Sequence, residues 1–158
     1  DEAQAGARWP AVAIARRERH AMPPLKHLAL IYPCTQIESD RPGRDTYGDG
    51  YFLDRESLVW FFTRYLPEGN VDDWRASPMC AASLAELPSM TLVTAECDPL
   101  TEDSIAFMDR VRTEGGQVEY HEFAGMVHGF ALLGGYFPQA KVAVATLCSA
   151  LSEALGED

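Results

Sequence analysis

The chain has 158 residues, which is enough for one folded domain with a single hydrophobic core. Hydrophobic residues make up 47% of it and charged residues 23%, the composition of an ordinary soluble globular protein. The net charge of -11 argues against a nucleic-acid partner, because phosphate binding depends on Lys and Arg, and no segment approaches the roughly 20 apolar residues that span a bilayer.

The start of the chain carries no recognisable targeting signal. It lacks an initiator Met, and Asp1-Glu2-Ala3-Gln4 provides neither the basic flank nor the apolar core of a signal peptide. We therefore expect a cytoplasmic protein that is processed, truncated or part of a longer gene product. Residues 3–20 are rich in Ala and Arg and predict a helix, although Pro10 is unfavourable inside it.

A strand, a loop and a helix are predicted next. Residues 25–32 (LKHLALIY) form a short apolar run between prolines, which predicts a buried strand. Residues 36–50 are polar and rich in Gly, Asp and Arg, which predicts a loop. Asp54 is placed to cap a helix that extends to Leu66. We expect the aromatic residues of this helix in the core: Trp60, Phe61 and Phe62.

The middle of the chain returns to loop before a second strand and helix. Residues 67–89 are loop-like, with a short helical turn over Ala81 to Glu86. Met90 to Cys97 (MTLVTAEC) predicts the second strand. A helix follows over Thr101 to Glu114, and Gly115-Gly116 is a strong stop signal for it.

A third strand and a last helix complete the pattern. Gln117 to Phe123 alternates apolar with polar residues, which predicts a strand. The last helix is predicted over Gln139 to Leu155. Apolar residues fall on one stripe of this helix: Val144, Cys148, Leu151 and Leu155.

The four cysteines are far apart along the chain: Cys34, Cys80, Cys97 and Cys148. Zinc sites and redox motifs need closely spaced ligands, and no Cys-x-x-Cys pair is present. We expect reduced cysteines in the core of a cytosolic protein. The sequence indicates neither a cofactor nor a metal site.

Strands that alternate with helices are typical of a parallel sheet covered by helices, so the predicted fold class is α/β. Three strands are few for such a sheet, because parallel sheets are normally larger and are buried on both faces. One sheet edge should therefore need a neighbour. We predict a homo-oligomer, a swapped arrangement, or a second chain that supplies a missing N-terminal half.

Two residues directly follow predicted strands. Asp98 comes after the second strand, and His128 comes after the third. Catalytic groups of open parallel sheets lie beyond the carboxyl ends of strands, so the two side chains should be neighbours. A carboxylate beside an imidazole fixes its tautomer and stabilises the imidazolium. Taken singly, an Asp before Pro is often a turn former or helix cap, and a His in a glycine-containing loop is commonly just solvated.

Short motifs occur around this pair along residues 25–158. They are Leu30-Ile31-Tyr32-Pro33, Gly50-Tyr51-Phe52-Leu53, Trp60-Phe61 with Tyr65-Leu66, Ala76-Ser77-Pro78, Leu87-Pro88, Glu96-Cys97-Asp98-Pro99-Leu100 and His128-Gly129-Phe130. In order and spacing they resemble the C-terminal half of the hormone-sensitive-lipase-like esterases, a branch of the α/β-hydrolases. The resemblance implies that Asp98 is the triad acid and His128 the general base of an enzyme for small esters. It also implies that Glu102-Asp103 is the acidic pair that opens the following helix.

The serine nucleophile of that family has no counterpart in the sequence. The family carries it in a Gly-x-Ser-x-Gly elbow, downstream of a His-Gly-Gly-Gly run, and neither motif occurs here. The elbow could lie only at the start, where Glu2 would replace the serine. We therefore interpret residues 1–158 as the C-terminal portion of an α/β-hydrolase domain, with a helix over 1–20 after a degenerate elbow and a family-like region over 25–158.

Three interpretations stay open at this point. The first is an ester hydrolase with a Ser-Asp-His mechanism whose serine is not in this chain, so that the isolated chain is inactive. The second is a non-catalytic hydrolase-like protein that keeps the fold for binding or assembly. The third is an unrelated small α/β binding domain, because a fold alone never fixes function.

Overall fold

The structure is a computed structural model that describes residues 10–11, 13–14, 25–67 and 69–156. In this part of the chain the strands are β1 (His27–Ile31), β2 (Ser89–Cys97) and β3 (Val118–Val127). The helices are α1 (Gly43–Thr46), α2 (Arg55–Tyr65), α3 (Thr101–Thr113) and α4 (Pro138–Leu155), with 3-10 turns at Pro78–Cys80 and Phe130–Leu132. Residues 10, 11, 13 and 14 are helical, and the remainder of the helix predicted over 3–20, like Glu2, lies outside the described residues.

The strands form one parallel sheet in the order β1-β2-β3. His27 of β1 lies opposite Ser89 of β2, and Met90 of β2 lies opposite Val118 of β3. The predicted class, a parallel sheet with flanking helices, is confirmed. The strand predicted over 25–32 is two residues longer at its start than β1 and one longer at its end.

The sequence of β2 explains why it occupies the middle of the sheet. A parallel strand that is covered on both faces needs apolar side chains at successive positions rather than at alternate ones. Every residue from Met90 to Ala95 is buried. The sheet therefore separates two cores, and Leu84 and Phe107 are fully buried in the one beneath α3. The core beneath α4 contains Val93, Ala95, Met126, Phe130, Ala140 and Ala143.

β3 is longer than predicted, because the expected end at Phe123 is only the start of a β-bulge. Ala95 lies opposite Phe123, whereas Cys97 lies opposite Val127, so two steps along β2 correspond to four along β3. Gly125 within the bulge has a φ of +70°. The bulge interrupts the alternation of side chains, and a period-two pattern therefore does not detect the last residues of the strand.

α2 begins where the sequence placed its cap. Asp54 Oδ1 accepts a hydrogen bond of 2.6 Å from the Ser57 N–H, and the helix ends before Leu66. This backbone hydrogen bond lowers the pKa of Asp54, because it stabilises the charged carboxylate. The predicted helix and its cap are confirmed.

The aromatic residues of α2 are less buried than expected. Trp60 is exposed, so its predicted place in the core is wrong. Its ring packs edge-on against Phe61, and the Arg64 guanidinium lies over it at 5.2 Å. Phe62 is half-buried against the small cluster that contains Leu58. Helical spacing identified an apolar face, but it did not show how little of the molecule covers that face.

Two local predictions in the loops need correction. The segment 36–50, expected to be loop throughout, contains the short helix α1. A contact with α3 stabilises this helix: the Gly43 N–H donates to Glu102 Oε2 at 3.0 Å. The helical turn expected over Ala81 to Glu86 lies instead at Pro78–Cys80, where a proline occupies the first turn. Both turns depend on contacts or backbone geometry that a hydrophobic pattern does not report.

The apolar stripe of α4 does not face the sheet. Val144, Leu151 and Leu155 are exposed, and the helix instead buries Ala140 and Ala143 against the sheet. The two small alanines allow the helix to pack close to the strands. The stripe is one face of a helix, as the spacing predicted, but this face is exposed.

The cysteines are free thiols in different environments. Cys34 is buried, and burial raises its pKa to about 11. Cys80 and Cys148 are exposed and Cys97 is half-buried, so the predicted core position holds only for Cys34. Across the residues that the structure describes, no helix combines the length and hydropathy needed to cross a bilayer.

Candidate active site

The tips of β2 and β3 bring the two predicted site residues together. Asp98 directly follows β2, and His128 directly follows β3. The His128 Nδ1–H donates to Asp98 Oδ2 at 2.7 Å. Asp98 is only 1% exposed, and 14% of the His128 side chain is exposed. A buried carboxylate therefore holds the Nδ1 edge of an imidazole that is itself partly exposed.

Local backbone geometry fixes the carboxylate of Asp98. Its Oδ1 accepts a hydrogen bond of 2.9 Å from the Leu100 N–H, and its carbonyl oxygen accepts the Thr101 N–H at 3.1 Å. These bonds form the turn that starts α3. Asp98 is thus a turn former, as one interpretation of the sequence held, and its second carboxylate oxygen also binds the imidazole.

The imidazole of His128 is held by packing as well as by its hydrogen bond. The Tyr32 ring lies against it with 4.4 Å between ring centroids. Gly129 follows with a φ of +79°, a backbone conformation that glycine adopts without strain. Phe130 is completely buried and anchors the loop in the core beneath α4. Together these contacts restrict the ring to one orientation.

This arrangement determines which ring nitrogen of His128 can take part in proton transfer. Because Nδ1–H donates to Asp98, the neutral ring carries its lone pair on Nε2. A base at Nε2 can accept a proton from a hydroxyl group, and the carboxylate then stabilises the imidazolium. The pair is therefore chemically equipped for general acid–base catalysis.

The acidic pair at the start of α3 binds residues 39–44, the segment at the start of α1. The buried Asp103 carboxylate accepts a hydrogen bond of 2.8 Å from Arg44 Nε, and Arg41 Nε lies 3.2 Å from it. Ser39 also donates its hydroxyl proton to this carboxylate. Glu102 accepts the backbone N–H at the start of α1. The pair identified in the sequence thus has a structural role in the described residues.

Sequence reasoning missed three residues near the pair. Tyr32, against His128, was noted only as part of a motif, and its φ of +32° is not evident from the sequence. Phe52 is 72% exposed with a φ of +74°, and its ring lies beside Gly129. Glu96 binds the backbone of the β3 bulge. A positive φ at non-glycine residues is a signal that only coordinates can supply.

The hydroxyl groups of Ser77 and Ser89 have hydrogen-bond partners away from the pair. The Ser77 hydroxyl, at the N-terminus of a 3-10 turn, donates to the Val71 carbonyl and accepts the Ile37 N–H. The Ser89 hydroxyl bonds His27 on the neighbouring strand.

His121 and Glu122 are adjacent on β3, so their side chains point to opposite faces of the sheet. Their partners agree with this: His121 Nε2 lies 2.9 Å from Glu119 Oε1, whereas Glu122 accepts the Tyr120 hydroxyl proton at 2.9 Å. Among the described residues, no group of three or more His, Cys, Asp or Glu side chains is arranged to hold a metal ion.

Comparison with known proteins places this geometry in a family. The family profile described as the alpha/beta hydrolase fold matches residues 4–132. An ethyl acetate hydrolase from Pseudomonas putida is 28% identical over 144 residues, which cover 90% of this chain and 44% of that protein. The carboxylesterase NlhH from Mycobacterium tuberculosis is 31% identical over 137 residues, which cover 84% of this chain and 43% of that protein.

A solved structure shows the same partial correspondence. An α/β-hydrolase enzyme from the metagenome of Lake Arreo, Spain, superimposes with a TM-score of 0.89 at 30% identity. The match covers 96% of this chain and 48% of that one, so this chain spans less than half the length of these relatives. The chain therefore belongs to the α/β-hydrolase family, in the esterase branch that its motifs predicted.

Proposed function

We propose that this chain supplies the acid, Asp98, and the general base, His128, of a carboxylic-ester hydrolase that uses a serine nucleophile. The observation that carries the proposal is the hydrogen bond of 2.7 Å between these side chains at the tips of adjacent parallel strands. The esterase names of the relatives support a small-molecule ester as the substrate.

The proposed reaction follows from the orientation of His128. Its Nε2 takes the proton of the serine hydroxyl while the serine oxygen attacks the ester carbonyl, and Asp98 stabilises the resulting imidazolium. The imidazolium then returns the proton to the departing alcohol, which leaves an acyl-serine. Water, deprotonated by the same nitrogen, attacks the acyl group and releases the acid. The serine recovers its proton from His128.

The proposal requires a nucleophile from outside residues 1–158. The sequence contains no Gly-x-Ser-x-Gly elbow and no His-Gly-Gly-Gly run. We propose that these residues form the C-terminal portion of the domain and that the isolated chain, which lacks this nucleophile, is inactive. Loss of triad residues lowers turnover on the order of 10⁶-fold in a well-studied serine protease.

The proposal also covers where the chain acts and what it associates with. We expect it to act in the cytoplasm on dissolved esters. We also expect either a homo-oligomer or a complementary N-terminal half, because in the described residues β1 and β3 have a strand neighbour on one side only.

The test is reconstitution of esterase activity. The chain would be co-expressed with a polypeptide that carries the first half of the Pseudomonas putida relative, and hydrolysis of a short-chain aryl acetate would be followed. We expect turnover from the mixture and none from either part. His128→Ala and Asp98→Asn in the mixture should lower turnover by at least about 10³-fold, because the serine loses its oriented base.

The structure offers a matched control for His128. His121 lies on the same strand and also pairs with a carboxylate, but it is placed before the bulge. We expect His121→Ala to retain the activity of the unaltered mixture. Normal turnover with His128→Ala would refute the assigned role, and so would equal losses in the two histidine variants.

A second candidate function is a non-catalytic hydrolase-like protein used for binding or assembly. The observation that favours it is the lack of both nucleophile motifs in a chain whose acid and base remain in contact. It predicts no turnover even when the fold is completed. Turnover by the reconstituted mixture would contradict this alternative.

A further inference from the structure

We infer that Glu96 is a positioning residue that holds the β3 bulge and thereby keeps His128 level with Asp98. The inference rests on the catalytic roles proposed for these two residues. Glu96 Oε2 accepts a hydrogen bond of 2.7 Å from the Gly125 N–H, in the middle of the bulge. Glu96 itself lies between the last regular pair of the two strands and the pair that follows the bulge.

The register of the two strands shows what the bulge does. Before it, Ala95 lies opposite Phe123, an offset of 28 residues (123 − 95). After it, Cys97 lies opposite Val127, an offset of 30 residues (127 − 97). The bulge therefore adds two residues to β3 between one pair and the next.

The site residues differ by the second offset and not by the first. Asp98 and His128 are 30 residues apart (128 − 98), so the register after the bulge puts them at the same level. With the earlier offset of 28, His128 would lie two positions beyond Asp98. At about 3.3 Å per strand residue this is a displacement of about 6.6 Å. The hydrogen bond of 2.7 Å could not form across it.

The bulge has two requirements, and the chain meets both. Gly125 has a φ of +70°, which residues with a side chain rarely adopt. A Cβ built there meets nothing within 4 Å, so the requirement is conformational and not steric. The bulge also turns the Gly125 N–H out of the regular ladder, and the Glu96 carboxylate provides a charged acceptor for it.

The alternative explanation is that Glu96 is an ordinary surface carboxylate with no role at the bulge. Glu122 provides the comparison. Both side chains are exposed, and both lie at the same end of the sheet. Glu122 accepts a hydrogen bond from the Tyr120 hydroxyl and none from the bulge backbone in the described residues. It therefore matches Glu96 in charge and exposure but not in the proposed function.

The experiment observes the Nδ1 proton of His128 by NMR in this chain, which needs no turnover. A proton held between imidazole and carboxylate gives a resonance far downfield, and its rate of exchange with water reports how well the pair is held. We expect Glu96→Ala to increase that rate by about tenfold, the effect of losing one charge-assisted hydrogen bond. Glu96→Gln should stay within twofold of the unaltered protein, because its amide oxygen can accept the same N–H. Glu122→Ala should do the same.

Variants of Gly125 test whether the bulge needs a left-handed backbone at this position. They also provide a test if Glu96→Ala does not fold. Gly125→Ala should accelerate exchange of the His128 Nδ1 proton. Gly125→Asn should exchange as slowly as the unaltered protein, because asparagine tolerates a left-handed backbone. Exchange that is unchanged in Glu96→Ala or in Gly125→Ala would overturn the inference. Equal acceleration in Glu96→Ala and Glu122→Ala would also overturn it. Failure of the reconstituted esterase would instead concern the proposed function, since this readout does not depend on turnover.

Discussion

Asp98 illustrates at the scale of one residue how a structural role and a proposed catalytic role coexist. One carboxylate oxygen accepts the Leu100 N–H and shapes the turn before α3, and the other accepts the Nδ1–H of His128. Because the turn fixes the first oxygen, the second has a defined position toward the imidazole. The preference of Asp for turns is therefore part of what orients the proposed base.

A second residue-scale feature is the buried carboxylate of Asp103, and it gives a stability prediction. Its side chain is fully buried beside Arg44, of whose side chain 12% is exposed. Asp103→Ala leaves that guanidinium without its carboxylate partner, so we expect a loss of about 3–5 kcal/mol in the free energy of unfolding. Urea denaturation measures it. Asp45→Ala removes an exposed partner of Arg55 and should cost less than about 1 kcal/mol. Equal losses of unfolding free energy in the two variants would contradict a stabilising role for the buried Asp103 carboxylate.

At the scale of elements, the C-terminal end of α3 is joined to the loop before β2. The Glu114 carboxylate accepts hydrogen bonds from the Ser83 hydroxyl, the Leu84 N–H and the Ala85 N–H. Its other oxygen pairs with Arg110 at 2.8 Å. The backbone hydrogen bond from Leu84 is the main cause of a lowered pKa for Glu114. The link thus depends on the charged form of one side chain.

The lowered pKa of Glu114 predicts a pH dependence with a definite sign. A group whose pKa is lower in the folded state stabilises the fold above its ordinary pKa, about 4.3 for Glu, and loses this effect as the pH falls through the lowered value. The difference in urea midpoint between the unaltered chain and Glu114→Ala should be full at pH 6 and shrink toward pH 3. The exposed Glu56→Ala serves as the control, with little difference at either pH. A difference for Glu114→Ala that grows on acidification would be the opposite result.

At the scale of the whole molecule, the exposed stripe of α4 gives a prediction about association. Val144, Leu151 and Leu155 expose apolar surface on a helix that carries few charges. If the expected homo-oligomer uses this surface, Leu151→Lys should weaken self-association by about tenfold in sedimentation velocity experiments. Val142→Lys, which is also exposed but lies outside the stripe, is the control and should have little effect. A chain that stays monomeric at high concentration would contradict the expected homo-oligomer.

The sequence by itself determined the types and the order of the main elements. Its apolar run at Met90 to Cys97 predicted the second strand, and Asp54 predicted the start of α2. It also singled out Asp98 and His128, because residues that follow strands of a parallel sheet meet at one edge. These features depend on local periodicity and on the properties of individual residues, which the order of residues records directly.

Only the tertiary structure decided the register at the bulge, the exposure of the α4 stripe and the short helix within 36–50. The offset that sets His128 beside Asp98 arises from pairing between two strands and from the contact of Glu96 with Gly125. Which face of α4 is buried depends on what packs against it. Contacts between residues far apart in the chain determine all three features, and a local pattern contains no record of such contacts.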